Sequence, residues 1–227
     1  MSMALALARS ATAYGVRLGR VRRAVADGTL GDKLAKICIL ALFSMMAMRL
    51  ARDAAATGHV TGMLLLASEA LVVALTLVRR TAGTVDRSWK ARILTMCSTF
   101  GPPLVQPTPG DGLAPEALTI FISGIGLIIV ILGKLSLGRS FGLTPANRGV
   151  VSTGLYHFVR HPIYLGYLTT HVGFVIADPS VWNLMVLLAA DVALLFRAKC
   201  EERTLAADGA YRAYMERVRW RIVPGVF

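Results

Sequence analysis

Two polar blocks near the C-terminal end of the chain are separated by an apolar stretch. That spacing constrains the fold more than any other feature. The first block runs Thr153-Gly154-Leu155-Tyr156-His157-Phe158-Val159-Arg160-His161-Pro162-Ile163-Tyr164-Leu165-Gly166. The second opens with Glu201-Glu202-Arg203-Thr204-Leu205 and continues to Gly209-Ala210-Tyr211-Arg212-Ala213-Tyr214. About thirty-five almost wholly apolar residues lie between them, enough to cross a bilayer and return. Both blocks are therefore expected to meet on one side of a membrane.

Composition agrees. Of 227 residues, 55% are hydrophobic and 17% charged, whereas a soluble domain carries about a quarter charged residues. Segments 33–50, 60–78, 117–137 and 181–196 read as spans, and 163–177 as a shorter one. Segment 91–106 is interrupted by Gly101-Pro102-Pro103 and reads either as a broken span or as a re-entrant, interfacial piece. The expected fold is all-α and integral to the membrane, with about six transmembrane helices, a C-terminal helical hairpin and a cytoplasmic C-terminal helical segment. Residues 1–32 form a basic amphipathic N-terminal segment, 33–116 a transmembrane scaffold, and 117–227 the functional core.

The 25 Lys and Arg residues follow that layout. Arg79, Arg80, Arg87, Lys90 and Arg92 crowd one loop, whereas 107–116 has no basic residue. Lys134, Arg139, Arg148 and Arg160 fall in or beside the next loop, whereas 178–180 has none. The alternation places both termini in the cytoplasm. The net charge of +12 is thus spread over inner loops, where it suits anionic headgroups rather than nucleic acid. Ala- and Arg-rich usage points to a bacterial inner membrane. Cys38, Cys97 and Cys200 lie too far apart for a metal site, and their odd number argues against a disulfide framework.

Ser123, Gly126, Val130 and Gly133 form a small-residue stripe that lets a neighbouring helix approach. Glu69 and Asp191 fall at membrane depth, where acids are costly; each is either functional or a hydrogen-bonded packing residue.

The first polar block should be an irregular loop leading to a helix that starts at Pro162, whose missing N–H costs nothing there. The free amides of that turn, with Arg160 and His161 beside them, suit an anionic group. The second block has no helix breaker after Phe196, so Arg197 and Glu201 should share one face of an emerging helix. Gly209 should end it, and Tyr211, Tyr214 and Val218 mark a further amphipathic stretch.

Together, Gly154-x-Tyr156-x3-Arg160-His161-Pro162-x-Tyr164-x-Gly166 and Glu201-Glu202-x2-Leu205-x3-Gly209-x-Tyr211-x2-Tyr214 resemble the isoprenylcysteine carboxyl methyltransferase family. That family lies in a wider group of membrane methyltransferases that includes phospholipid methyltransferases. The resemblance implies S-adenosylmethionine bound at the cytoplasmic face and a methyl group passed to a lipophilic or lipid-modified acceptor. It implies cofactor contacts at Arg148, Gly149, Val150, Val151, Tyr156, His161, Pro162, Ile163, Tyr164 and Glu201. It also implies Arg197 beside the acceptor, with His161 as a second catalytic residue, and no metal.

Methyl transfer from a sulfonium is an in-line displacement governed by positioning, and these residue types suit it. A carboxylate acceptor needs no base; an amine or thiol does, with His161, His157 or Asp191 as candidates. The alternatives are a sterol-type NADPH-dependent membrane reductase, and a non-catalytic transporter or scaffold using Glu69 and Asp191.

Overall fold

The computed structural model describes residues 29–78, 84–85, 88–108, 110, 112–137, 146–147 and 150–227. The chain divides into two units, Met1–Ala41 and Leu42–Phe227. Of the first, the described residues begin helix α1 (Thr29–Thr57); the rest of the expected amphipathic segment lies outside the described residues. The second unit holds the remainder of α1, then α2 (Thr61–Val78), α3 (Trp89–Phe100), α4 (Glu116–Leu137), α5 (Pro162–Ala177), α6 (Val181–Leu205) and α7 (Gly209–Arg217). Short 3₁₀ turns occur at Pro102–Leu104 and Gly154–His157. A two-residue antiparallel ladder pairs Thr84 with Asn147 and Val85 with Ala146.

Local chemistry sets the helix ends. The Ser180 hydroxyl accepts from Asn183 N–H at 3.1 Å, capping α6. Glu116, in the first turn of α4, accepts from Val60 N–H at 2.7 Å. Pro162 occupies the first turn of α5, as its fixed φ favours. Gly209 does not end α6. That helix stops at Leu205, and Asp208 caps a new one by accepting from Ala210 N–H at 2.9 Å.

Among the described residues, two helices, α4 and α6, are long and apolar enough to cross a membrane, and α5 is apolar but shorter. Their outer faces carry exposed large apolar residues, among them Phe121, Ile128 and Leu135 on α4 and Val181, Met185 and Leu188 on α6. Inside, the buried residues are unusually polar: Ser68, Glu69, Thr119, Ser123, Lys134, Thr170, His171 and Asn183. Where polar side chains occur in a bundle set in lipid they face its interior, as these do.

The small-residue stripe packs against α5 as expected. Ser123, Gly126, Val130 and Gly133 are all buried. A Cβ on Gly166 would lie 2.6 Å from the Val130 side chain and 2.7 Å from the Gly126 carbonyl. Cross-helix partners show the directions. Thr61 bonds Thr119 and Lys134 bonds the Ser68 carbonyl, so α2 and α4 run parallel. The chain must therefore return along the bundle between them, and segment 89–108 makes that return beside α6. Ser98 meets Arg197, a Cβ on Gly101 would strike Ala190, the Leu104 carbonyl accepts from Trp182, and Gln106 exchanges two bonds with Asn183. The doubtful segment is thus a broken element, with α3, a 3₁₀ turn and extended chain in series. At 12 residues α3 is about 18 Å long and too short to span a bilayer alone. The 3₁₀ turn that follows it is held by the Arg49 guanidinium, which donates to the Pro103 carbonyl.

Of the two places left open for Lys134, in the loop or beside it, the structure shows the second. The apolar helix continues to Leu137, and the lysine is 1% exposed on its inner face. The three cysteines are free.

Candidate functional site

The end of α6 and the start of α5 meet. Partners run in opposite senses, 161 with 202, 164 with 201 and 171 with 191, which is the pairing of an antiparallel hairpin. The two polar blocks therefore converge on one end of the bundle, as their spacing requires.

Glu201 accepts from the Tyr164 hydroxyl at 2.7 Å and from Arg197 Nε at 3.1 Å. Its second oxygen lies 3.8 Å from His161 Nδ1. Arg197 is buried, donates to Ser98 Oγ at 3.3 Å and sits 5.5 Å from the centre of the Tyr164 ring. The i,i+4 pairing expected of Arg197 and Glu201 is present, and burial shows that it is not an ordinary solvated charge pair.

Glu202 is the hub of the other half. It lies 3.3 Å from His161 Nε2 and 3.0 Å from Arg160 Nε, and it accepts from Arg221 Nε at 2.8 Å. Its side chain is 7% exposed, against 17% for Glu201. The more open acid is thus the one with fewer cations around it. Backbone bonds bring Arg221 in: Arg160 N–H donates to the Trp220 carbonyl at 2.9 Å and His161 N–H to the Arg221 carbonyl at 2.7 Å. Three guanidiniums and one imidazole thus surround two carboxylates.

Beneath lies an aromatic floor. Tyr156, Tyr211, Tyr214 and Val218 form a buried cluster, with Val150, Val151 and Leu205 packed on it. Gly154, at φ +60°, lets the chain turn into this floor; a side chain there would also strike Ser136. The Tyr214 hydroxyl donates to the Tyr156 carbonyl at 2.7 Å. Burial holds the Tyr156 phenol well above its ordinary value, with the Glu201 charge adding to the effect. Burial also pushes Tyr214 up to about 12. Both remain protonated at neutral pH, and both rings wall the floor.

Of the residues singled out from the sequence, Tyr156, His161, Pro162, Tyr164, Arg197 and Glu201 lie in this cluster. Val150 and Val151 pack on its floor. Ile163 points instead toward α4, where its side chain would meet a Cβ on Gly133 at 2.8 Å. Arg148 and Gly149 lie outside the described residues. Glu202 and Arg221 escaped selection. The doubled acid at 201–202 was a signal for the first; the second sits in an irregular tail with no periodicity to mark it.

Flanking α6 is a groove of about 430 Å³ with Ile93, Leu94 and Phe196 on its apolar walls and Lys90, Lys199 and Arg203 at its edge. Among the described residues, no group of His, Cys, Asp and Glu could hold a metal ion.

Residues 116–211 match the model of the phospholipid methyltransferase family, which lies within the wider group of membrane methyltransferases. The match begins with α4 and ends inside α7, so it covers the hairpin and both polar blocks. No curated protein matches the chain.

Proposed function

We propose that this chain is a membrane methyltransferase that takes its methyl group from S-adenosylmethionine and passes it to a lipophilic acceptor. The observation that carries the reading is the contact of Arg160 and His161 with Glu201 and Glu202 across the α5–α6 hairpin, inside the stretch that matches the methyltransferase family. The site would lie at the inner headgroup plane, with both termini cytoplasmic.

The donor set suits a zwitterionic, cationic cofactor. Three arginines against two glutamates leave positive charge for the cofactor's carboxylate, and the amides opening α5 add to it. Glu201, the more exposed acid, is placed to accept from an ammonium or a ribose hydroxyl. Tyr156 and Tyr164 would wall the site, with Val150, Val151 and Pro162 completing it. When bound, the cofactor supplies a sulfonium methyl open to in-line attack. Arg197, held by Glu201 and Ser98 and desolvated beneath Tyr164, would orient the acceptor's polar end. The groove between α3 and α6 would shelter the acceptor's apolar chain.

Purified protein in detergent should gain thermal stability with S-adenosylmethionine or its demethylated product. Glu201→Ala and His161→Ala should each weaken binding about tenfold or more, a loss of roughly 1.4 kcal/mol. A shift with NADPH and none with either methyl-cofactor form would replace this reading with the reductase.

A further inference from the structure

A second ionisable cluster lies deeper in the bundle, and the donor site leaves it unused. Glu69 from α2, Lys134 from α4, His171 from α5 and Asp191 from α6 converge there; Glu69, Lys134 and His171 are each at most 4% exposed. His171 is ten residues along α5 from His161, about 15 Å along the helix. Its Nδ1 lies 2.6 Å from Asp191 Oδ1. Its Nε2 is buried, has no hydrogen-bond partner, and faces Glu69 Oε1 at 4.0 Å. The Tyr167 ring stacks on the imidazole, with centroids 6.3 Å apart. Lys134 Nζ lies 5.0 Å from that ring and donates to the Ser68 carbonyl at 3.1 Å. Ser68 Oγ is a second buried polar atom without a partner.

This is a poor design for packing alone, because a closed polar cluster satisfies its members and this one leaves two atoms waiting. It is a good design for a base. A carboxylate against Nδ1 keeps the proton there and leaves the lone pair on Nε2, the atom with nothing bound to it. Protonation of Nε2 would set one imidazolium and one ammonium against two carboxylates, and the cluster would be neutral.

We infer that His171, held by Asp191, is the proton acceptor of the reaction, taking the proton that the acceptor's nucleophilic atom releases. The inference rests on the methyl-donor reading above. As the acceptor's nitrogen or sulfur forms its bond to the methyl carbon, the donor's sulfur–carbon bond breaks and its electron pair leaves on sulfur. The proton released from the acceptor passes to His171 Nε2. Glu69 and Asp191 stabilise the imidazolium, and Asp191 is a positioning residue. A carboxylate acceptor carries no proton to lose and would give this cluster nothing to do.

The test uses the full chain in nanodiscs containing phosphatidylethanolamine, dodecanethiol or palmitate, with methyl-labelled S-adenosylmethionine. Donor binding is measured in parallel, so failure of the donor site is seen separately. Label should enter the amine or the thiol. His171→Gln should slow transfer about a hundredfold with donor affinity kept, and the variant's rate should recover as rising pH deprotonates the acceptor directly. Asp191→Asn should show a smaller loss with the same pH trend. Nitrogen NMR of histidine in the unmodified protein should show the Nδ1–H tautomer at His171. Label in palmitate alone, full activity in His171→Gln, or an Nε2–H tautomer would each overturn the inference.

Discussion

Glu201 and Glu202 are neighbours in the chain with different tasks. Glu202 neutralises Arg160 and Arg221 and accepts from His161, whereas Glu201 faces one arginine and a tyrosine hydroxyl. Glu202→Gln strips the counterion from two guanidiniums and should cost about 3 kcal/mol, the low end for breaking a buried pair because Arg221 is partly exposed. Glu201→Gln keeps an oxygen for Tyr164 and should cost less stability while weakening donor binding more. Thermal unfolding and donor titration of the two variants in detergent should therefore rank them in opposite orders. An identical ranking in both measurements would remove the division of labour. The sequence made the pair visible as a doubled acid, yet it could not say which member faces inward. That depends on Arg221, nineteen positions away and reached only through the fold-back of the tail. Lys134 and His171 were hidden for the same reason: their partners stand on other helices, and a lone charge in an apolar run looks like a span boundary until its partner is known.

At the scale of elements, the α4–α5 contact fixes where the site stands, because α5 begins with His161 and Pro162. Gly166→Ala should push the helices apart against Val130 and the Gly126 carbonyl, at a cost of about 1–3 kcal/mol. Gly124 meets nothing within 4 Å, so Gly124→Ala on the opposite face should be neutral or gain up to about 1 kcal/mol. Melting temperatures in one detergent check the pair, and equal effects would mean that the close approach is not limiting. This contact was legible because small residues recurred at helical steps. The Pro162 start and the unbroken run of α6 past Phe196 were legible from proline chemistry and from the absence of a breaker. Gly209 was misread because glycine closes helices more often than it opens them, and here Asp208 one residue earlier supplies the cap. The 91–106 segment stayed ambiguous because a 12-residue helix with a proline pair looks the same at an interface as along a bundle. Only its bonds to Trp182, Asn183 and Arg197 distinguish the two.

Across the second unit as a whole, the polar groups form two tiers on one hairpin. The upper tier holds Arg160, His161, Glu201 and Glu202; the lower holds Glu69, Lys134, His171 and Asp191. Tyr164 and Tyr167 stand between them on α5, one facing Glu201 and the other stacked on His171. A donor bound above and an acceptor's head below would meet between those rings, while the acceptor's chain leaves sideways through the apolar flank. The segment after α7 covers the upper tier, tied to the start of α5 through the amides of Arg160 and His161 and the carbonyls of Trp220 and Arg221. Those bonds are made by main chain alone, so no replacement short of proline deletes them, and any admission of the donor beneath the tail must part them for a moment. Deuterium uptake at these two amides should consequently slow when S-adenosylmethionine is added and return to its free rate when it is washed out. Uptake indifferent to the donor would mean that it enters by another door.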